Sequence, residues 1–238
     1  MLEALLKPGP IDPSVLAAYS APGAKQARAA EEADQRARDW PSLCRYREDN
    51  IRVAKGERPT AVFIGDSITE FWQHLECSPL SGDIVGRGVS GQTSPQILLR
   101  FYQDVIALNP RVVHILAGAN DIAGNTGPSR PQDFKNNIMS MVMLAQASHI
   151  RVILGSIPPT KLYYWSPKAA PIGTIAALNL WLRTYAEDSG ATFVDYHQAL
   201  AAPDGAMRSD FSNEGVHPNA AGYAVMTPMA KAALAAAL

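Results

Sequence analysis

The chain predicts an α/β fold in which a mostly parallel sheet is covered by helices on both faces. Three observations predict it. After Pro59, short apolar runs alternate with longer amphipathic stretches, the strand-helix rhythm of βαβ units. The later runs are rich in Val and Ile without polar alternation, as strands buried on both faces are. A length of 238 residues is enough to bury a sizeable core within one domain of this kind.

Residues 1–58 read as an extension and residues 59–238 as the main domain. Pro8, Pro10, Pro13 and Pro22 mark an arm, followed by a charged, alanine-rich helical run over 24–39 and further helix within 40–55. Arg45, Arg47, Glu48, Asp49 and Arg52 form a solvated helix face in this reading, while Trp40, Leu43, Tyr46 and Ile51 pack on the main domain. Five strands are expected near 61–65, 83–85, 112–116, 152–155 and 192–194. Between them, Ile97, Leu98, Phe101, Val105 and Leu108 recur at helical spacing, as do Ile138, Met141, Val142 and Ala145. A helix over 174–188 ends at Gly190, a natural left-handed cap, and Asn219 opens a last helix running to the C-terminus.

Lys and Arg number 21 against 22 Asp and Glu, a formal net charge of -1 with no basic stripe, which argues against nucleic acid as a partner. The apolar tail 232–238 is well short of the roughly 20 residues a membrane span requires, so a soluble chain is expected. Glu3 and Pro8 interrupt Ala4-Leu5-Leu6, which excludes a signal peptide in the residues present but leaves cytoplasm and export open. Cys44 and Cys77 have no CxxC or Cys/His spacing, so no metal site is expected. They read as two small buried or half-buried thiols whose pairing stays open.

In an open α/β sheet, ligands bind outside the carboxyl ends of the strands. The first run, Ala61-Val-Phe-Ile-Gly65, stops at that edge and delivers Asp66 and Ser67 to the start of a helix, where amide donors and the helix dipole favour a developing oxyanion. Ser67 is therefore the candidate nucleophile and Asp66 the residue that holds its turn, although Gly-Asp-Ser also makes an ordinary turn. The third run ends in Gly118-Ala-Asn120-Asp121, which brings a side-chain amide to the same edge or forms a turn before Gly124. The loop Gly86-Arg-Gly-Val-Ser-Gly91-Gln-Thr is glycine-rich but lacks the phosphate-binding GxxxxGK[ST] pattern, and a Gly91 amide can complete an oxyanion hole instead. His217 is kept out of helix by Pro218 and so is free to act as a base. Its only rival is His197.

These blocks, in this order, resemble the SGNH hydrolases, also called GDSL esterases and lipases, from about Pro59 to the C-terminus. The resemblance implies a flavodoxin-like α/β/α sandwich with strand order 2-1-3-4-5. It implies that Ser67 attacks an ester carbonyl, that His217 is its general base, and that the Ser67 amide, Gly91 amide and Asn120 side chain hold the oxyanion, with Asp121 in support. No metal or organic cofactor is implied. Where family members generally carry aspartate three residues before the histidine, this chain has Glu214, the expected third triad member, with Asp210 or a backbone carbonyl as the fallback. Gly86 stands where asparagine is often found.

The sequence is most similar to the bacterial branch resembling platelet-activating factor acetylhydrolase subunits and carbohydrate acetylesterases, which implies short acyl groups, acetyl above all. Tyr163, Tyr164 and Trp165 lie in a proline-bounded loop at the site edge and are candidate platforms for a sugar, or else core cover. The expected partner is a small-molecule or carbohydrate ester, with homo-oligomer formation left open. A lipid or aryl ester hydrolase or an acyltransferase of the same family, and a non-catalytic ligand-binding module, are the competing readings.

Overall fold

The computed structural model describes all 238 residues. The extension contains α1 (Leu2–Leu6), α2 (Pro13–Ser20), α3 (Pro22–Asp39) and α4 (Arg47–Lys55). The main domain runs β1 (Ala61–Gly65), α5 (Ser67–Trp72), β2 (Ile84–Gly88), α6 (Ser94–Asp104), β3 (Val112–Leu116), α7 (Ala119–Ala123) and α8 (Pro131–Ala147). It continues through β4 (Arg151–Gly155), α9 (Pro171–Ser189), β5 (Thr192–Val194), α10 (Tyr196–Leu200) and α11 (Ala220–Ala237). The five strands form one sheet in the order β2-β1-β3-β4-β5, and every neighbouring pair is parallel.

Alternation within each strand divides the core in two. Val62, Ile64, Val113, Ile115, Val152 and Leu154 face a layer built from α6, α8 and α9, through Ile97, Phe101, Ile138, Met141, Leu178 and Leu182. Ala61, Phe63, Val112, Leu116 and Ile153 face the opposite layer, through Trp72 of α5, Tyr223 and Met226 of α11, and Leu6 of α1. The result is a three-layer sandwich. On this second face His114 stacks on Phe63 at 4.3 Å and its Nε2 lies 2.9 Å from the Tyr196 hydroxyl, and burial pushes its pKa down to about 3.

Five expectations need correction. The second strand runs to Gly88 through residues the sequence placed in a loop, because glycine there answers a close approach rather than a turn: a Cβ on Gly88 would lie 2.1 Å from the Glu70 amide nitrogen of α5. The helix expected over 95–108 ends at Asp104 and gives way to a 3-10 turn, Ile106–Leu108, after which left-handed Asn109 redirects the chain into β3. Ile51 does not pack on the main domain but is 52% exposed, and Asp49, expected in solvent, pairs at 2.8 Å with the buried Arg87. Cys44 is exposed rather than buried and Cys77 half-buried, and both thiols are free.

One buried polar network fixes the sheet edge that carries the site. Arg100 of α6, fully buried, pairs with Asp104 at 2.9 Å and donates to the Gly65 carbonyl at 2.8 Å and to Gln92 Oε1 at 2.6 Å. Asn50 of α4 joins in by donating to Asp104 Oδ1 at 2.6 Å. No helix is long and apolar enough to cross a membrane.

Candidate active site

Ser67 is the first residue of α5, directly beyond the carboxyl end of β1, and Asp66 caps that helix by accepting from the Ile68 amide at 3.0 Å. His217 arrives from the loop before α11. Asn219 caps that helix through the Ala221 and Gly222 amides, and its own Nδ2 donates to the Asp210 carbonyl and to Asn213 Oδ1, so the loop is tied at both ends. Asn213 Nδ2 in turn donates to the Leu5 carbonyl at 3.1 Å and the Lys7 carbonyl at 2.6 Å, which binds the end of α1 to the residue beside Glu214.

These elements bring Ser67, His217 and Glu214 into one line. Ser67 Oγ lies 2.9 Å from His217 Nε2, and His217 Nδ1 lies 3.0 Å from Glu214 Oε1. Glu214 Oε1 also accepts the amide of His217 at 2.5 Å and that of Val216 at 3.2 Å. An ionised carboxylate only accepts, so the Nδ1 proton points to Glu214 and Nε2 is left to accept from the serine hydroxyl. Ser67 is 7% and His217 9% exposed, so both are largely buried. Phe71, at 5.2 Å between ring centres, and Trp165, at 6.5 Å, flank the imidazole.

The opposite wall is built from backbone and amide donors. Gly91 has φ +77°, a conformation that favours glycine, and its N–H meets no protein acceptor. Its loop is anchored by Ser90, whose amide donates to Glu70 Oε2 at 2.7 Å, while Arg45 pairs with the same carboxylate at 2.8 Å. Asn120, at the start of α7 and 4% exposed, donates through Nδ2 to the Gln92 carbonyl at 3.0 Å and to Asp66 Oδ2 at 3.3 Å. Burial raises the Asp66 carboxyl to about 6, against the lowering pull of the Ile68 amide and His217. Asp121 is bonded to the first residue of α6, accepting from the Ser94 amide at 2.9 Å. Burial raises its pKa too, and the Ser94 bonds oppose the rise.

The remaining candidates separate. Tyr163 is fully buried, so it backs the site instead of offering a face; Tyr164 and Trp165 are partly exposed. His197 sits in α10 with its amide bonded to Ser156 Oγ and makes no bond to Ser67. Asp210 pairs with Arg208 at 2.6 Å, not with His217. Sequence reasoning missed Gln92, Arg100 and Asn125. Only Arg100 left a trace, since it and Asp104 fall four residues apart beside Ile97 and Phe101 on an otherwise apolar stripe.

The model of the GDSL-like lipase/acylhydrolase family matches residues 63–225. A solved structure from Bacteroides fragilis is 38% identical, with 84% of this chain and 98% of that one covered and a TM-score of 0.79. A GDSL-like lipase from Bacteroides thetaiotaomicron is 36% identical, over 84% of this chain and 100% of that one, with a TM-score of 0.79. An acetylxylan esterase from Geobacillus stearothermophilus, 20% identical over 75% of this chain and 95% of that one, shares the fold with a TM-score of 0.55. No curated protein matches the chain.

Proposed function

The chain belongs to the GDSL-like lipase/acylhydrolase family, and from that premise we propose that it is a serine esterase cleaving short, acetyl-sized esters of a carbohydrate or similar alcohol. The observation that carries the reading is the line from Ser67 Oγ to His217 Nε2, 2.9 Å, and from His217 Nδ1 to Glu214 Oε1, 3.0 Å.

Ser67 attacks the ester carbonyl as its proton passes to His217 Nε2. The imidazolium formed is stabilised by the Glu214 carboxylate. Negative charge gathers on the former carbonyl oxygen, and the unpaired Gly91 amide, the Ser67 amide and Asn120 Nδ2 receive it. Asn120 can do so by giving up its longer bond to Asp66. His217 then protonates the departing alcohol, leaving an acyl-Ser67 ester. Water enters, loses a proton to Nε2 and releases the acid. A preorganised donor of this kind contributes about 100-fold to 1000-fold in rate.

The resemblance of the sequence blocks to carbohydrate acetylesterases supports a short acyl group. The Trp165 ring, nearly parallel to the His217 imidazole, supports an alcohol with a flat apolar face such as a sugar. The test is turnover of p-nitrophenyl esters from two to twelve carbons, with acetate release from acetylated xylan. Rates that fall steeply beyond four carbons and vanish in Ser67→Ala are expected. A preference for long chains would replace the acetylesterase reading with a lipase, and ester transfer to an added alcohol in excess of hydrolysis would replace it with an acyltransferase.

A further inference from the structure

Asn125, just after α7, is bonded to both sides of the candidate oxyanion hole. Its Nδ2 donates to Asn120 Oδ1 at 2.8 Å and to the Gly91 carbonyl at 3.1 Å, and its backbone amide donates to the Asn120 carbonyl at 3.1 Å. Its Oδ1 accepts from Trp165 Nε1 at 2.8 Å.

The chemistry of the groups gives this chain a direction. A side-chain amide has a donor end and an acceptor end of nearly equal size, so its orientation is set by its partners. An indole N–H only donates, so it fixes Asn125 with Oδ1 toward Trp165. Asn125 Nδ2 then faces Gly91 and Asn120, and a donor there holds Asn120 with Oδ1 outward. That leaves Asn120 Nδ2 turned to the Gln92 carbonyl and Asp66, the side assigned to the oxyanion in the esterase reading. The same Asn125 amide pins the Gly91 carbonyl, and so orients the glycine loop.

We propose that Asn125 and Trp165 are positioning residues of the esterase, an orientational relay that keeps the donor end of Asn120 directed into the oxyanion hole. This rests on the reading of Ser67 as nucleophile and Asn120 as oxyanion donor. Trp165 thereby has two roles, one through its ring at the mouth and one through its N–H, and they are separable because phenylalanine keeps only the ring.

Asn125→Asp is nearly isosteric but sets a carboxylate against Asn120 Oδ1 and the Gly91 carbonyl, which favours an inverted Asn120 amide. The relay predicts a fall in kcat on p-nitrophenyl acetate of about 100-fold, the lower end of what one oxyanion donor contributes, with KM nearly unchanged. Asn125→Ala, which adds no charge, is expected to lose about tenfold, and Trp165→Phe less than that. Inactivation by a fluorophosphonate, whose adduct fills the same hole, should slow by the same factors. In a double-mutant cycle, Asn125→Ala should add almost nothing to Asn120→Ala, whereas an independent structural role would multiply. Wild-type kcat in Asn125→Ala, or multiplying losses in the cycle, would overturn the relay while leaving the esterase reading intact. Turnover that survives Ser67→Ala would instead overturn the esterase reading and the relay with it.

Discussion

A single oxygen, Glu214 Oε1, receives the His217 imidazole and two backbone amides, so the residue orients that ring and shapes the loop that carries it. Glu214→Ala is expected to lose on the order of 10^4-fold in kcat, the cost of an unsupported imidazole, while Glu214→Asp, which keeps the carboxylate, loses far less. Equal activity in wild type and Glu214→Ala would remove it from the triad. Asp66 yields a prediction about pH. Its folded pKa, about 6, lies above the ordinary 3.8, so the folded state holds this proton more tightly than the unfolded chain does. The contribution is fully present below about pH 4 and is lost as pH rises through 6, by roughly 3 kcal/mol. Measured by urea unfolding, the stability difference between wild type and Asp66→Asn should change by roughly 2–3 kcal/mol between pH 4 and pH 7, and an unchanged difference would contradict it. Glu214 was legible from its spacing to His217. The Asp66 environment was not, since burial belongs to the folded chain.

The βα elements place the site, and α6 holds it there. Arg100 joins the carbonyl that ends β1 to the Gln92 side chain beside Gly91, all out of water. Arg100→Met strands Asp104 as a buried charge and should cost about 3–5 kcal/mol in stability; chemical denaturation measures it, and a loss under 1 kcal/mol would mean that the network is solvated. Strands β1, β3, β4 and β5 stood out in the sequence because they are short apolar runs, the last three rich in β-branched residues. The second strand was truncated because its glycines serve close packing against α5 but have the composition of a loop. The helix break at Val105 was hidden because its apolar spacing continues unbroken to Leu108.

At the scale of the whole molecule, the extension is part of the site's support. Leu5 and Leu6 of α1 are buried, and Asn213, next to Glu214, holds the last carbonyls of that helix. Leu6→Ala should lower stability by about 2 kcal/mol and reduce kcat more than it raises KM, a split that steady-state kinetics with p-nitrophenyl acetate reads directly; unchanged kcat would uncouple α1 from the site. Contacts between residues some two hundred positions apart carry no local sequence signal, so this coupling is visible only in the fold. Everything proposed for this site depends on Ser67, activated by His217, being the one nucleophile of the chain. Labelling with a fluorophosphonate, followed by peptide mass mapping, tests it most directly. One adduct per chain is expected, on Ser67, absent in Ser67→Ala and strongly slowed in His217→Ala. An adduct elsewhere, or none on a folded chain, would contradict it.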